Sequence, residues 1–68
     1  MISHKKNFGV YHWDTFDNVT LLMKEADTLE KARQYIQEYY KGRLNSNGAD
    51  RVDIVDKSGN VVGSYSVS

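Results

Sequence analysis

No cysteine occurs among the 68 residues, which excludes disulfide staples, thiolate metal sites and a cysteine nucleophile together. Proline is missing as well, so glycines and polar clusters are left to punctuate the chain. Neither sign of charge is in excess: nine Lys plus Arg balance nine Asp plus Glu, and the pI is near 6.7. Such a balance sets up no long-range field toward a nucleic-acid backbone or an anionic membrane. The longest purely apolar run is Leu21-Leu22-Met23, far short of the roughly 20 residues of a membrane span. Met1 to Asn7 also lack the apolar stretch of about seven or more residues that an export signal carries. We therefore expect a cytoplasmic protein with no membrane partner, in which the sequon Asn18-Val19-Thr20 has no role.

What is present has ordinary globular proportions, 40% hydrophobic and 26% charged, unlike a disordered tail, a collagen repeat or a coiled coil. At 7.8 kDa the chain makes a single domain over residues 1–68, with residues 1–6 read as a flexible N-terminal tail. Ordering it costs on the order of 100 kcal/mol of conformational entropy at about 1.5 kcal/mol per residue. A core this small is close to the size at which association with a second copy supplements it.

Five segments follow. Asn7 to Asp14 and Asn18 to Lys24 are rich in aromatic and β-branched residues and predict two strands joined as a hairpin. Asp27 and Glu30 have the spacing of a helix cap and its partner. From there Leu29, Ala32, Tyr35, Ile36, Tyr39 and Tyr40 recur on one face of a helix closed by Lys41-Gly42-Arg43. The three tyrosines are read as core and rim, with hydroxyls reaching water. Asn45 to Asp50 has loop composition and is the expected mobile loop. Arg51 to Asp56 and Asn60 to Val67 form a second hairpin, with Gly59 placed for the positive φ of its turn. The order is ββαββ, an α+β fold of one helix on a four-stranded, mainly antiparallel sheet.

Alternation along the strands assigns Phe8, Val10, Val19, Leu21, Met23, Val52, Ile54, Val61, Gly63, Tyr65 and Val67 to the helix-facing side. The other side then carries Tyr11, Trp13, Leu22, Val55 and Val62 among smaller and polar residues. One helix cannot cover both faces, so this second face is the expected interaction surface. A bulge at Gly9 or Gly63 would exchange the faces beyond it.

Catalytic patterns are thin. His12, Asp14 and Asp17 lie close in sequence, but a zinc site needs three or four convergent ligands and only His4 could add a second imidazole. No acidic residue is expected to be buried, and Asp53 and Asp56, three apart, point to opposite faces, so no carboxylate pair is set up for acid–base chemistry. The serines at 64, 66 and 68 lack a base at useful spacing, and no phosphate-binding glycine motif occurs. We expect no enzyme, no cofactor and no metal.

Two functions remain. The first is a non-catalytic interaction module that forms a homodimer or takes an unknown protein partner through a sheet face or edge carrying Tyr11, Trp13, Leu22, Val55 and Val62. The second, from another class, is a single-stranded nucleic-acid or regulatory accessory domain that stacks bases on Tyr11 and Trp13 and neutralises phosphates with Lys41, Arg43 and Arg51. Neutral charge counts against nucleic acid. Residues 26 to 40 (A-D-T-L-E-K-A-R-Q-Y-I-Q-E-Y-Y) and 52 to 62 (V-D-I-V-D-K-S-G-N-V-V) resemble small bacterial ββαββ domains of unknown function. That resemblance implies the fold and carries no site residues.

Overall fold

The computed structural model describes residues 3–68. Met1 and Ile2, part of the expected tail, lie outside the described residues. Strand β1 (Phe8–Asp14) pairs with β2 (Val19–Ala26), helix α1 (Leu29–Tyr39) follows, and β3 (Asp50–Asp56) and β4 (Val61–Val67) close the chain. The strands form one antiparallel sheet in the order β2-β1-β3-β4, with α1 packed on one side: the α+β arrangement expected. Strands β2 and β3 both run antiparallel to β1, so they are parallel to each other, and the connection through α1 passes over β1.

Local chemistry sets the turns. Asp14 folds its carboxylate back onto the amides of Phe16 (3.0 Å) and Asp17 (3.2 Å), an Asx turn. The same turn ends on Asn18 at φ 54°, a conformation asparagine tolerates better than most residues. In the second hairpin Asp56 Oδ1 accepts from the amides of Ser58 and Asn60, both at 2.9 Å, and Gly59 takes φ 87°. Helix α1 starts one residue later than expected: the cap is Thr28, in extended conformation, whose hydroxyl oxygen accepts from Lys31 N at 3.1 Å. Glu30 then lies in the first turn, where the dipole favours it, without the reciprocal bond of a capping box.

Ala32 and Ile36 of α1, with Tyr40 just past its end, pack on Val10, Ala26, Val52, Ile54 and Val67. Each large aliphatic side chain here contributes roughly 1.5–3 kcal/mol by leaving water. The helix reaches β1, β2 and β3. The end of β4 is covered instead by the chain after α1. Leu44 bridges to Val67, Asn45 N donates to Ser66 O at 3.0 Å and Ser68 N to Arg43 O at 2.9 Å. Gly48 lies so near the Val67 backbone that a β-carbon would overlap it. The expected mobile loop is thus tied to a strand at both ends.

Two register shifts revise the face assignment. The β1–β2 pairing steps from Val10↔Lys24 to Tyr11↔Leu22, leaving Met23 as a bulge, and β3–β4 steps from Ile54↔Gly63 to Val55↔Val61, leaving Val62 as one. The shifts fall in the outer strands, at neither Gly9 nor Gly63. Because directly paired residues share a face, Val61 joins Val55 on the side away from the helix, opposite to its assignment from alternation. Met23 still packs on the core.

Candidate functional site

His12, in the middle of β1, faces the helix side and is buried, where an unpaired imidazole nitrogen would be costly. Both nitrogens have partners. Nε2 lies 3.0 Å from Asp50 Oδ2, at the start of β3, and Nδ1 lies 2.7 Å from the Tyr40 hydroxyl, at the end of α1. A carboxylate only accepts, so Nε2–H donates to Asp50 and, in the neutral ring, Nδ1 accepts from the phenol. The other oxygen of Asp50 accepts from the amide and hydroxyl of Thr15, at 3.2 and 2.9 Å. This chain joins α1, β1, β3 and the first hairpin turn through side chains 28 and 38 residues apart in sequence.

Its electrostatics favour holding over reacting. Burial, with smaller effects from Tyr35 and Tyr39, pushes the Tyr40 phenol up to about 12. The hydrogen bond from His12, then those from Thr15, hold the Asp50 carboxyl below its usual 3.8. Tyr40 is therefore neutral and inaccessible at ordinary pH, and both His12 nitrogens are occupied. The expected water contact of the Tyr40 hydroxyl is replaced by this bond. Asp14 is committed to its turn amides, and among the described residues no group of three His, Cys, Asp or Glu could hold a metal ion.

The network floors an open cleft of about 240 Å³, walled by Leu21, Met23, Tyr39 and Arg43. Arg43 sits over the Tyr40 ring at 5.2 Å and donates through Nε to Ser68 O at 2.9 Å. Tyr39 stacks on Tyr35 with ring centres 5.3 Å apart. On the cleft wall Tyr39 is 53% and Leu21 49% exposed, and at the first hairpin turn Phe16 is 94% and Val19 46% exposed. Asp14 connects them, since it lines the cleft, pairs with Val19 and accepts from Phe16 N. Sequence reasoning passed over this neighbourhood. Phe16 was the available signal, because a phenylalanine at a hairpin tip has no sheet to bury it.

The second sheet face is only partly open. Tyr11 and Val55 are 1% and 2% exposed, Trp13 and Leu22 are half-buried, and of the five expected contact residues Val62 alone is exposed, at 37%. Residues before β1 account for the cover at the centre: His4 Nδ1 lies 3.0 Å from the Tyr11 hydroxyl, and the His4 ring fills the space above Gly9. Asp53, expected to be exposed, is buried on this face, where it accepts from Ser64 Oγ (2.7 Å) and Arg51 Nε (3.1 Å). Asp56 does lie on the other face, paired with Phe8.

The residues of the nucleic-acid reading are divided. Arg51 lies over the Trp13 ring at 5.3 Å, but Asp53 already pairs with Arg51, Tyr11 is buried, and Arg43 is on the helix side against Tyr40, with Lys41 exposed nearby in the chain. No helix among the described residues is long and apolar enough to cross a membrane. No family model matches the chain, and no curated protein or solved structure is detectably similar to it. The comparisons leave the resemblance to small bacterial ββαββ domains resting on residues 26–40 and 52–62.

Proposed function

We propose that this protein is a non-catalytic interaction module that works by pairing with a second copy of itself, through the flank of β2 and α1 around the cleft. The observation that carries the reading is the exposure of Leu21 and Tyr39 on the cleft wall, with Phe16 and Val19 exposed where the first hairpin turn enters β2. Single exposed apolar residues need no explanation, but a shared patch is characteristic of contact surfaces. A second copy suits the patch because zero net charge sets up no repulsion between copies, and a domain this small gains most from added buried surface. Relative to the expectation from sequence, the contact moves from Tyr11, Trp13, Leu22, Val55 and Val62 to the helix side, since two of those five have no surface to offer. A cytoplasmic setting belongs to this reading, and the cysteine-free composition is in keeping with it.

Sedimentation from about 10 µM to 1 mM at two salt concentrations tests it. The mass should rise from 7.8 kDa toward twice that value, with little effect of salt. A mass fixed at the monomer value throughout would sink the proposal. The second reading, a single-stranded nucleic-acid or regulatory accessory domain, draws on the stacking of Arg51 over Trp13 and requires a complex that weakens steeply as salt is raised.

A further inference from the structure

On the far side of the sheet from the proposed contact, residues 3–7 form a strap. His4 bonds to Tyr11, Lys5 N donates to Glu25 Oε1 at 3.2 Å, and Asn7 Nδ2 donates to Asp27 O at 3.0 Å. The His4 ring is seated where Gly9 lacks a side chain: a β-carbon there would lie 2.8 Å from both Cγ and Nδ1 of the imidazole. The ring meets Tyr11 edge-on, with centroids 6.0 Å apart. Nε2 of this ring is buried with no hydrogen-bond partner, the one such side-chain atom among the described residues. Buried polar atoms are nearly always paired, so an unpaired one calls for a physical reason.

We infer that His4 is a proton-sensitive latch: neutral, it holds the strap over Gly9, Tyr11 and Val55, and protonated, it releases the strap and uncovers that recess of the sheet. The argument is one of donor counting. A neutral imidazole can satisfy itself through the Tyr11 hydroxyl alone and leave one nitrogen as a lone pair. A protonated ring has a donor on each nitrogen, and the second donor, now carrying charge, has no acceptor. None of the ionisable groups around the ring lies within hydrogen-bond distance of Nε2. On β1 Tyr11 is the bonded partner; on β2 the Glu25 carboxylate accepts from Lys5 N; on β3 Asp53 is paired with Arg51 and Ser64; and at the following turn Asp56 accepts from Ser58 and Asn60 amides. The cavity of about 210 Å³ beside His4 is lined by Lys57, whose positive charge opposes a second cation, and by Asp56, whose negative charge offsets it. Among the described residues three hydrogen bonds hold residues 3–7, and Ser3, Lys5, Lys6 and Asn7 are exposed.

The chain has two histidines, and His12 lies on the opposite face, so proton NMR separates them. At low protein concentration, below the onset of association, the ring cross-peaks between His4 and Tyr11 should be present at about pH 8 and lost at about pH 5. Cross-peaks between His12 and Tyr40 should persist through the same interval. His4→Phe keeps a ring in the seat and cannot titrate, so its contacts with Tyr11 should survive at both pH values. Persistence of the His4–Tyr11 cross-peaks at pH 5 overturns the inference. So does a parallel loss in His4→Phe, which would assign the release to a carboxylate. Neither result bears on the β2 flank, so this test stands apart from that of self-association.

Discussion

Replacing Tyr40 by Phe removes a single oxygen from the centre of the polar network and leaves the ring that packs on Ile36 and the sheet. The hydroxyl is 2.7 Å from His12 Nδ1, and both residues are buried, so water does not readily take its place. Leaving a buried acceptor unpaired costs about 1–3 kcal/mol. A 68-residue domain, at about 0.05–0.15 kcal/mol per residue, holds roughly 3–10 kcal/mol in all. The substitution therefore removes a sizeable share of the total. At about 4–8 °C per kcal/mol for a domain of this size, Tm should fall by roughly 4–24 °C. Thermal and guanidinium melts followed by circular dichroism read the change, with Tyr35→Phe as the control, because the Tyr35 hydroxyl makes no hydrogen bond among the described residues and should cost under about 0.5 kcal/mol. The same substitution in a His12→Leu background should cost less by about 1 kcal/mol or more, since no orphaned nitrogen remains. A Tyr40→Phe protein melting within about 2 °C of the parent, or an equal cost in both backgrounds, would refute the reasoning.

Stability should also depend on pH in two windows. Because the folded-state value of Asp50 is lowered below 3.8, its contribution is present above that value and lost as pH falls through the lower folded one, so Asp50→Asn should flatten the acid limb of a denaturation curve below about pH 4. Tyr40, raised from 10.0 to about 12, contributes below pH 10 and loses that contribution as pH rises through about 12; Tyr40→Phe should flatten the alkaline limb, with the raised values of Tyr11 and Tyr35 leaving a residue of the same sign. Thr28→Ala should cost about 1 kcal/mol by removing the helix cap and Asp27→Ala much less, as chemical denaturation would show. Equal costs would return the cap to Asp27. Gly59→Ala meets open space at φ 87° and should cost about 1–2 kcal/mol from the backbone alone. Gly48→Ala, with the Val67 backbone in the way, should cost about 1–3 kcal/mol by overpacking and loosen the end of β4 in hydrogen exchange.

The parts of the fold legible in the sequence are those governed by neighbours in the chain. The apolar stripe from Leu29 to Tyr40 needs only the helical period, and the Asp56-Lys57-Ser58-Gly59 turn needs only local backbone chemistry. Thr28 and Asp27 are both good caps, and which one serves depends on where the strand before them ends. Strand β2 continues to Ala26 because Phe8 pairs with it, a contact no local pattern announces. The bulges at Met23 and Val62 fall within Leu21-Leu22-Met23 and Val61-Val62, where neighbouring residues are alike and a one-residue slip changes little in composition. Less of the candidate site was readable. His12 and Asp50 meet only because β1 lies beside β3, and strand order is not written in alternation. The cover over Tyr11 comes from His4, whose surroundings, Ser3 and Lys5-Lys6-Asn7, have the composition of a solvated tail.

Sedimentation of two double variants tests the central claim most directly. Phe16→Ser with Leu21→Ser removes exposed apolar surface from the cleft side, and Trp13→Ala with Val62→Ser removes it from the far face. If the β2 flank is the contact, the first pair should lose about 2 kcal/mol or more of association, roughly a thirtyfold weaker dimer, and the second should stay within about threefold of the parent. Dimers that survive the first pair and dissociate with the second would contradict the account and return the interface to Trp13 and Val62.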